Sequence, residues 1–161
     1  MKIRKVEISG FRVYNDPRDA TFDFTTREGK TADFVSIYAP EGFGKTSFYD
    51  AVEWGITKSI SRFAALKHDW NNSGEDTVAK ISSLLQKRGT KRETYVKIET
   101  GENTFFTAQL GRQTNKDEII SADEFYRFIL PLTKISSIIS ESDEAYRFKK
   151  LAELPVFEKA A

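Results

Sequence analysis

The chain has 161 residues, 39% hydrophobic and 30% charged, with 25 basic against 24 acidic side chains; this suits one domain with a substantial core and gives no global attraction for nucleic acid. There is no cysteine and a single histidine, His68, which excludes disulfides, thiol catalysis and zinc sites built from cysteine or histidine clusters. No apolar run reaches the length of a membrane span and the N-terminus lacks a signal-peptide core, so the expected compartment is the cytoplasm and no membrane partner is expected.

In chain order, residues 2–8 set Ile3, Val6 and Ile8 among charges and read as a first strand, ended by Ser9-Gly10. Asn15-Asp16-Pro17 is turn chemistry, and residues 20–24 follow as a second strand with Ala20, Phe22 and Phe24 inward. A third, short apolar strand carries Phe34, Val35 and Ile37. It runs into a glycine-bearing loop and then into a helix on which Phe48, Ala51, Val52, Gly55, Ile56 and Ile60 recur at helical spacing, with Asp50, Glu53, Thr57 and Lys58 largely off that face.

The loop reads Ala39-Pro40-Glu41-Gly42-Phe43-Gly44-Lys45-Thr46-Ser47. Its layout is that of a phosphate-binding loop of the pattern G-x-x-x-x-G-K-[ST], with the small Ala39 in place of the first glycine. Gly42 and Gly44 can adopt backbone angles closed to other residues, which lets successive N–H groups of the loop, from Glu41 through Ser47, turn inward around an anion; Pro40, Glu41 and Phe43 fill variable positions, and Pro40 brings no N–H of its own. The helix that starts near Lys45 adds its unpaired amides and the positive end of its dipole. Lys45 supplies the mobile cation for the β- and γ-phosphates and is the one residue expected to act on the reacting group. The Thr46 hydroxyl would take a place on Mg²⁺, and Ser47 would reach the α-phosphate. The expected cofactors are therefore ATP and Mg²⁺.

Beyond the loop, residues 76–87 read as a helix with Val78, Ile81, Leu84 and Leu85 on one face. Residues 94–100 and 104–110 form an expected hairpin around Gly101-Glu102-Asn103, with Val96, Ile98, Phe106, Ala108 and Leu110 on one side. Ser121 with Glu124 is a capping box for a helix through Phe125, Phe128 and Ile129, stopped by Pro131. Short helices around Ile135–Ile139 and over residues 143–154 complete the reading. The strands followed by the phosphate loop and its helix give an expected α/β fold class.

The opening KIRKVEISGFRVY, the strand TFDF and the segment APEGFGKTSFYDAVEWGIT resemble the N-terminal half of the ATPase head of SMC, RecF and SbcC type proteins. The match covers residues 1–60 well, and its most specific part is Asp50-Ala51 after the phosphate loop. The resemblance implies a P-loop NTPase with a mixed sheet and an antiparallel strand region, in which residues 1–161 form the N-terminal lobe of an ABC-class head of DNA repair, chromosome maintenance or anti-phage defence. It further implies that a C-terminal lobe, of the same or a partner ATPase, supplies the Asp-Glu strand and signature loop, that two heads pair around ATP, and that DNA and a nuclease or effector subunit are partners. On the same grounds Arg12 is placed near the nucleotide phosphates, and the Q-loop glutamine aligns near Leu132, with Gln109 and Gln113 the nearest substitutes.

Two segments imitate missing parts. Ile119-Ile120-Ser121-Ala122-Asp123-Glu124 looks like an Asp-Glu strand, but the capping box explains it better; Asn72-Ser73-Gly74-Glu75 looks like a signature loop with one glycine too few. The chain as given reads as half of an ATPase, able to bind nucleotide and weak in hydrolysis alone. A nucleotide-gated interaction module that never hydrolyses ATP is the second reading. Lys87, Arg88, Lys91 and Arg92 form a local basic patch that could follow a DNA backbone or simply complement a helix end.

Overall fold

A computed structural model describes residues 1–63, 77–112, 120–121, 124–125, 142–146 and 149 of the chain. Two compact units divide it, Met1–Ile119 and Ile120–Ala161.

In the first unit, β1 (Ile3–Ser9), β2 (Thr21–Asp23), β3 (Tyr95–Thr100) and β4 (Phe105–Gln109) form one sheet in the order β2-β1-β3-β4. Every pairing is antiparallel, with Val6 opposite Phe22 and Ile98, and Ile98 opposite Phe106. Alternation explains the pairing register: Val6, Ile8, Val96, Ile98, Phe106 and Ala108 share one face and are all buried, so a one-residue slip would turn this entire set to solvent. The other face is polar and partly solvated. There the Tyr95 hydroxyl donates to Glu7 at 2.7 Å, and the Lys97 ammonium lies 4.7 Å from the Tyr95 ring centroid and 3.7 Å from the Glu7 carboxylate.

The helix α1 (Lys45–Thr57) covers the apolar face of β3 and β4 with Ala51, Val52 and Ile56. Close approach is possible because Gly55 has no side chain: a Cβ there would sit 2.7 Å from Ile98 Cδ1 and 3.1 Å from Val96 Cγ1. A short 3₁₀ turn, Ser61–Phe63, and a second helix, α2 (Thr77–Leu85), follow. The helix and hairpin expected after residue 76 are thus present within one or two residues of their expected ends, which is the ordinary uncertainty of helix boundaries.

Two expectations are corrected. Residues 34–40 belong to no strand; their side chains are outside the core, with Phe34 85%, Val35 41%, Ile37 42% and Tyr38 93% exposed. A strand exists only where a neighbour completes its ladder, and none of the four described strands runs beside this segment. Second, Asp50, Glu53 and Thr57 are not on a solvent face: they are 1%, 1% and 8% exposed. Each is accommodated by a polar partner, because burying such groups without one is costly. Arg12 meets the Asp50 carboxylate, Glu53 Oε1 accepts the Ser61 N–H at 2.8 Å, and the Thr57 hydroxyl donates to the Glu53 carbonyl at 2.8 Å.

In the second unit the Ser121 side chain accepts the Glu124 N–H at 3.2 Å, which is the expected cap, and Asp143 accepts the Tyr146 N–H at 3.0 Å at the head of residues 144–146. The helices expected through Phe128, Ile129, Ile135 and Ile139, the position Leu132, Gln113, His68 and the loop at Asn72 lie outside the described residues.

The hinge between β1 and the loop that follows it is Gly10, with φ at +56° and its carbonyl accepting both the Lys87 N–H at 2.8 Å and the Thr94 hydroxyl at 3.0 Å. A Cβ at this position would stand 2.9 Å from the Glu93 carbonyl oxygen and 3.2 Å from that of Arg92. Both the backbone angle and the rigid carbonyls oppose a side chain, so Gly10→Ala is expected to lower unfolding free energy by about 2 kcal/mol or more in urea titration.

Candidate phosphate-binding site

The loop reaches α1 through Gly42 at φ +82° and Gly44 at φ +94°, ψ 11°, both left-handed. The two glycines are needed for different reasons. At Gly42 a Cβ would enter open space, so only the backbone angle demands glycine; at Gly44 it would meet Val13 Cγ2 at 2.7 Å and the Tyr14 hydroxyl at 3.0 Å as well.

Gly44 is also the N-cap of α1. It provides no side-chain cap, and the first turn holds no acidic residue. Most helices satisfy their leading amides with a Ser, Thr, Asp or Asn at this position. Here the amides of the first turn are left with neither a capping oxygen nor a competing carboxylate, which leaves the positive end of the helix dipole to an external anion.

The Lys45 ammonium folds back over the loop and donates to the carbonyls of Ala39 at 2.6 Å and Pro40 at 2.8 Å. Thr46 is exposed beside it, whereas Ser47 is 8% exposed and faces the packed side. Phe43, between the two glycines, projects outward at 70% exposure. Pro40, Glu41, Gly42, Phe43, Gly44, Lys45 and Thr46 are therefore gathered at one surface, with Ser47 behind it.

Arg12 lies beside the N-terminal half of α1. Its guanidinium is paired with Asp50, one and a half helical turns beyond Lys45, and lies 5.9 Å from the Phe63 ring centroid. Its backbone is left-handed, φ +51°, and its N–H donates to the Leu85 carbonyl at the end of α2 at 2.8 Å. Neighbouring Phe11 is fully buried and stacks on Trp54 of α1 with centroids 5.5 Å apart. Residues 11–14 thus bind α1 at three levels: Phe11 on Trp54, Arg12 on Asp50, and Val13 with Tyr14 on Gly44.

Tyr14 is a residue that sequence reasoning passed over. Its hydroxyl donates to the Gly44 carbonyl at 3.1 Å, and burial raises its pKa above the ordinary tyrosine value, so the donor stays protonated at neutral pH. Nothing local in the sequence marks it, since the contact spans 30 residues.

The substitute glutamine Gln109 is in β4, where its amide donates to Glu93 at 3.2 Å. Of the basic patch, Lys87 donates to the Val13 carbonyl at 3.2 Å and Arg92 pairs with Asp16 at 2.6 Å, while Arg88 and Lys91 are exposed. Hydrogen bonds from Arg18 hold the Asp16 carboxyl well below the usual carboxylate range, with the charges of Arg18 and Arg92 acting in the same direction. No helix among the described residues is long and apolar enough to cross a membrane.

The family model described as an AAA domain matches residues 5–157. No curated protein matches the chain. A solved structure from work on the structural biochemistry of ATP-driven dimerization and DNA-stimulated activation of SMC ATPases is similar at 15% identity and a TM-score of 0.49, over 94% of this chain and 99% of that one.

The contrast between the two loop glycines is measurable. Gly42→Ala is expected to keep the fold and to weaken nucleotide binding modestly, with about 1 kcal/mol of backbone strain. Gly44→Ala should weaken binding at least about tenfold and lower the melting temperature as well, because strain and overlap with Val13 and Tyr14 add. Removal of one partner of a carboxylate that is 1% exposed makes Arg12→Ala a stability variant, with an expected loss of about 3 kcal/mol in urea unfolding.

Proposed function

The chain belongs to the AAA domain family, and on that premise we propose that residues 1–161 are the ATP- and Mg²⁺-binding N-terminal lobe of an SMC/RecF/SbcC-like ATPase. Its work is on DNA, in repair, chromosome maintenance or anti-phage defence, in the cytoplasm. One observation carries the proposal: a left-handed glycine opens an uncapped helix beside a lysine whose ammonium rests on carbonyls of its own loop.

The residues fit a triphosphate with its cation. Amides of the loop and of the first turn of α1 would hold the β- and γ-phosphate oxygens, Lys45 would exchange its two carbonyls for them, and Ser47 would approach the α-phosphate. The exposed Thr46 hydroxyl is a hard oxygen of the kind Mg²⁺ accepts, and the ion, when bound, would neutralise charge between the β- and γ-phosphates. Arg12, adjacent to Val13 and Tyr14 at the loop, would stand near the nucleotide phosphates while its pairing with Asp50 ties it to α1.

Hydrolysis needs a carboxylate to orient water and a clamp on the γ-phosphate. The two buried carboxylates of α1 are engaged by Arg12 and by the Ser61 N–H, so we assign these tasks to a complementary C-terminal lobe and to a second head. Segment 34–40, with its exposed apolar side chains, is where that lobe would dock. Arg88 and Lys91 are the cations left to meet a DNA backbone, and a nuclease or effector subunit would read the state of the heads.

A second reading, a module that binds ATP to assemble with a partner and does not hydrolyse it, is favoured by the exposure of Phe34, Tyr38 and Phe43 around the phosphate loop. Titration of a fluorescent ATP analogue in the presence of Mg²⁺ should show saturable binding that Lys45→Ala weakens about 100-fold or more, as expected for loss of charge-assisted contacts. Equal affinity in the two proteins rejects both readings. Turnover measured after addition of a C-terminal lobe separates them, because hydrolysis restored by that lobe is incompatible with a pure binding module.

A further inference from the structure

The carbonyl of Gly44 accepts two donors, the Phe48 N–H at 2.8 Å, which is the first turn of α1, and the Tyr14 hydroxyl at 3.1 Å. In a trans peptide the C=O and the N–H of one unit point in opposite directions. Whatever holds the Gly44 oxygen therefore also aims the Lys45 amide, the first N–H of the helix. Turning that peptide over would rotate ψ of Gly44 and φ of Lys45, and the missing Cβ of Gly44 leaves its side of the rotation weakly restrained. The structure shows how turning is resisted: one donor comes from the helix and the other from outside it.

The outside donor is well anchored. Tyr14 N–H donates to the Phe11 carbonyl at 2.8 Å, and the Tyr14 ring stands edge-on to Phe22 of β2, with centroids 5.8 Å apart and an interplanar angle of 84°. Phe22 in turn packs against Phe48 of α1, with centroids 4.7 Å apart. The hydroxyl thus stands on an aromatic cluster joining β2 to the first turn of the phosphate-binding helix, and a tyrosine has only two side-chain torsions to fix.

We propose that Tyr14 is a positioning residue for the phosphate loop, whose hydroxyl holds the Gly44–Lys45 peptide in the orientation that presents the Lys45 amide to bound phosphate. The inference rests on the nucleotide-binding reading above. It concerns the phosphates and not the base, so it applies to any polyphosphate with Mg²⁺.

The test is Tyr14→Phe, which removes one oxygen and keeps the aromatic packing, compared with the unaltered protein and with Lys45→Ala. Calorimetric titrations with Mg·ATP and with Mg·tripolyphosphate are run beside melting curves recorded without ligand. Loss of one part-buried hydrogen bond to the loop should weaken both ligands by the same factor, about three- to tenfold, while the ligand-free melting temperature falls by no more than a few degrees. Unchanged affinity for both ligands overturns the proposal. So does weakening of ATP alone, which would mean a base contact, and so does a lower ligand-free melting temperature in place of the affinity loss, which would mean packing only. If Tyr14→Phe does not fold, Phe22→Leu keeps the hydroxyl and loosens its support; the same paired loss is then expected, and wild-type affinity for both ligands overturns the proposal. Absence of binding by the unaltered protein defeats the nucleotide reading itself, and that outcome is distinct because it precedes any comparison of variants.

Discussion

An uncapped helix start is the feature to which the rest of the first unit is fitted. Leading amides of a helix must find partners, and the usual solution is a side chain one residue upstream. Here that residue is Gly44, which provides none. Such an end is stable only if the chain around it is held by other means, and residues 10–14 supply them. Gly10 turns the chain out of β1, Phe11 is locked under Trp54, Arg12 spans to Asp50, and Val13 with Tyr14 closes on Gly44. The loop's own glycines give it its turns, and residues 10–14, leaving β1, fix where it stands.

This arrangement explains why α1 is buried on nearly every side yet carries acidic and hydroxyl side chains in its middle. A wholly apolar helix would slide or rotate on the sheet with little penalty. Asp50, met by Arg12 from 38 residues away, and Glu53, met by the Ser61 N–H just past the helix end, select one rotation of the helix. Gly55 selects one depth, since only it lets the backbone settle against Val96 and Ile98. Rotation and depth together set where Lys45 and Thr46 emerge, so groups well below the loop determine its geometry. The left-handed backbone of Arg12 is a modest local strain accepted in the same cause.

Much of this was legible in the sequence wherever the determining pattern is local. Alternation in residues 94–110 placed Val96, Ile98, Phe106 and Ala108 inward, the glycine spacing marked the loop, and Ser121 with Glu124 marked a cap that the structure contains. The AAA domain match bears out the P-loop fold class and the family resemblance read from residues 1–60. What was not legible depends on distant partners. Phe34, Val35 and Ile37 have the composition of a strand, but a strand is a relation between two segments and composition specifies only one of them. Asp50 and Glu53 look like surface charges on a helical wheel because Arg12 lies 38 residues away from Asp50 and no periodicity points to it. Tyr14 was missed for the same reason.

The resting place of the Lys45 ammonium has a bearing on which anions the site admits. With two carbonyl oxygens of Ala39 and Pro40 already around it, the cation is neither bare nor dependent on solvent, and any incoming anion has to displace those oxygens. A singly charged ion such as chloride or acetate brings one charge to offset the loss of those two hydrogen bonds, whereas a chain of phosphates would bring several charges and could engage the helix amides in the same step. On the proposed reading the folded-back side chain would act as a threshold, favouring ligands with enough charge to complete the exchange.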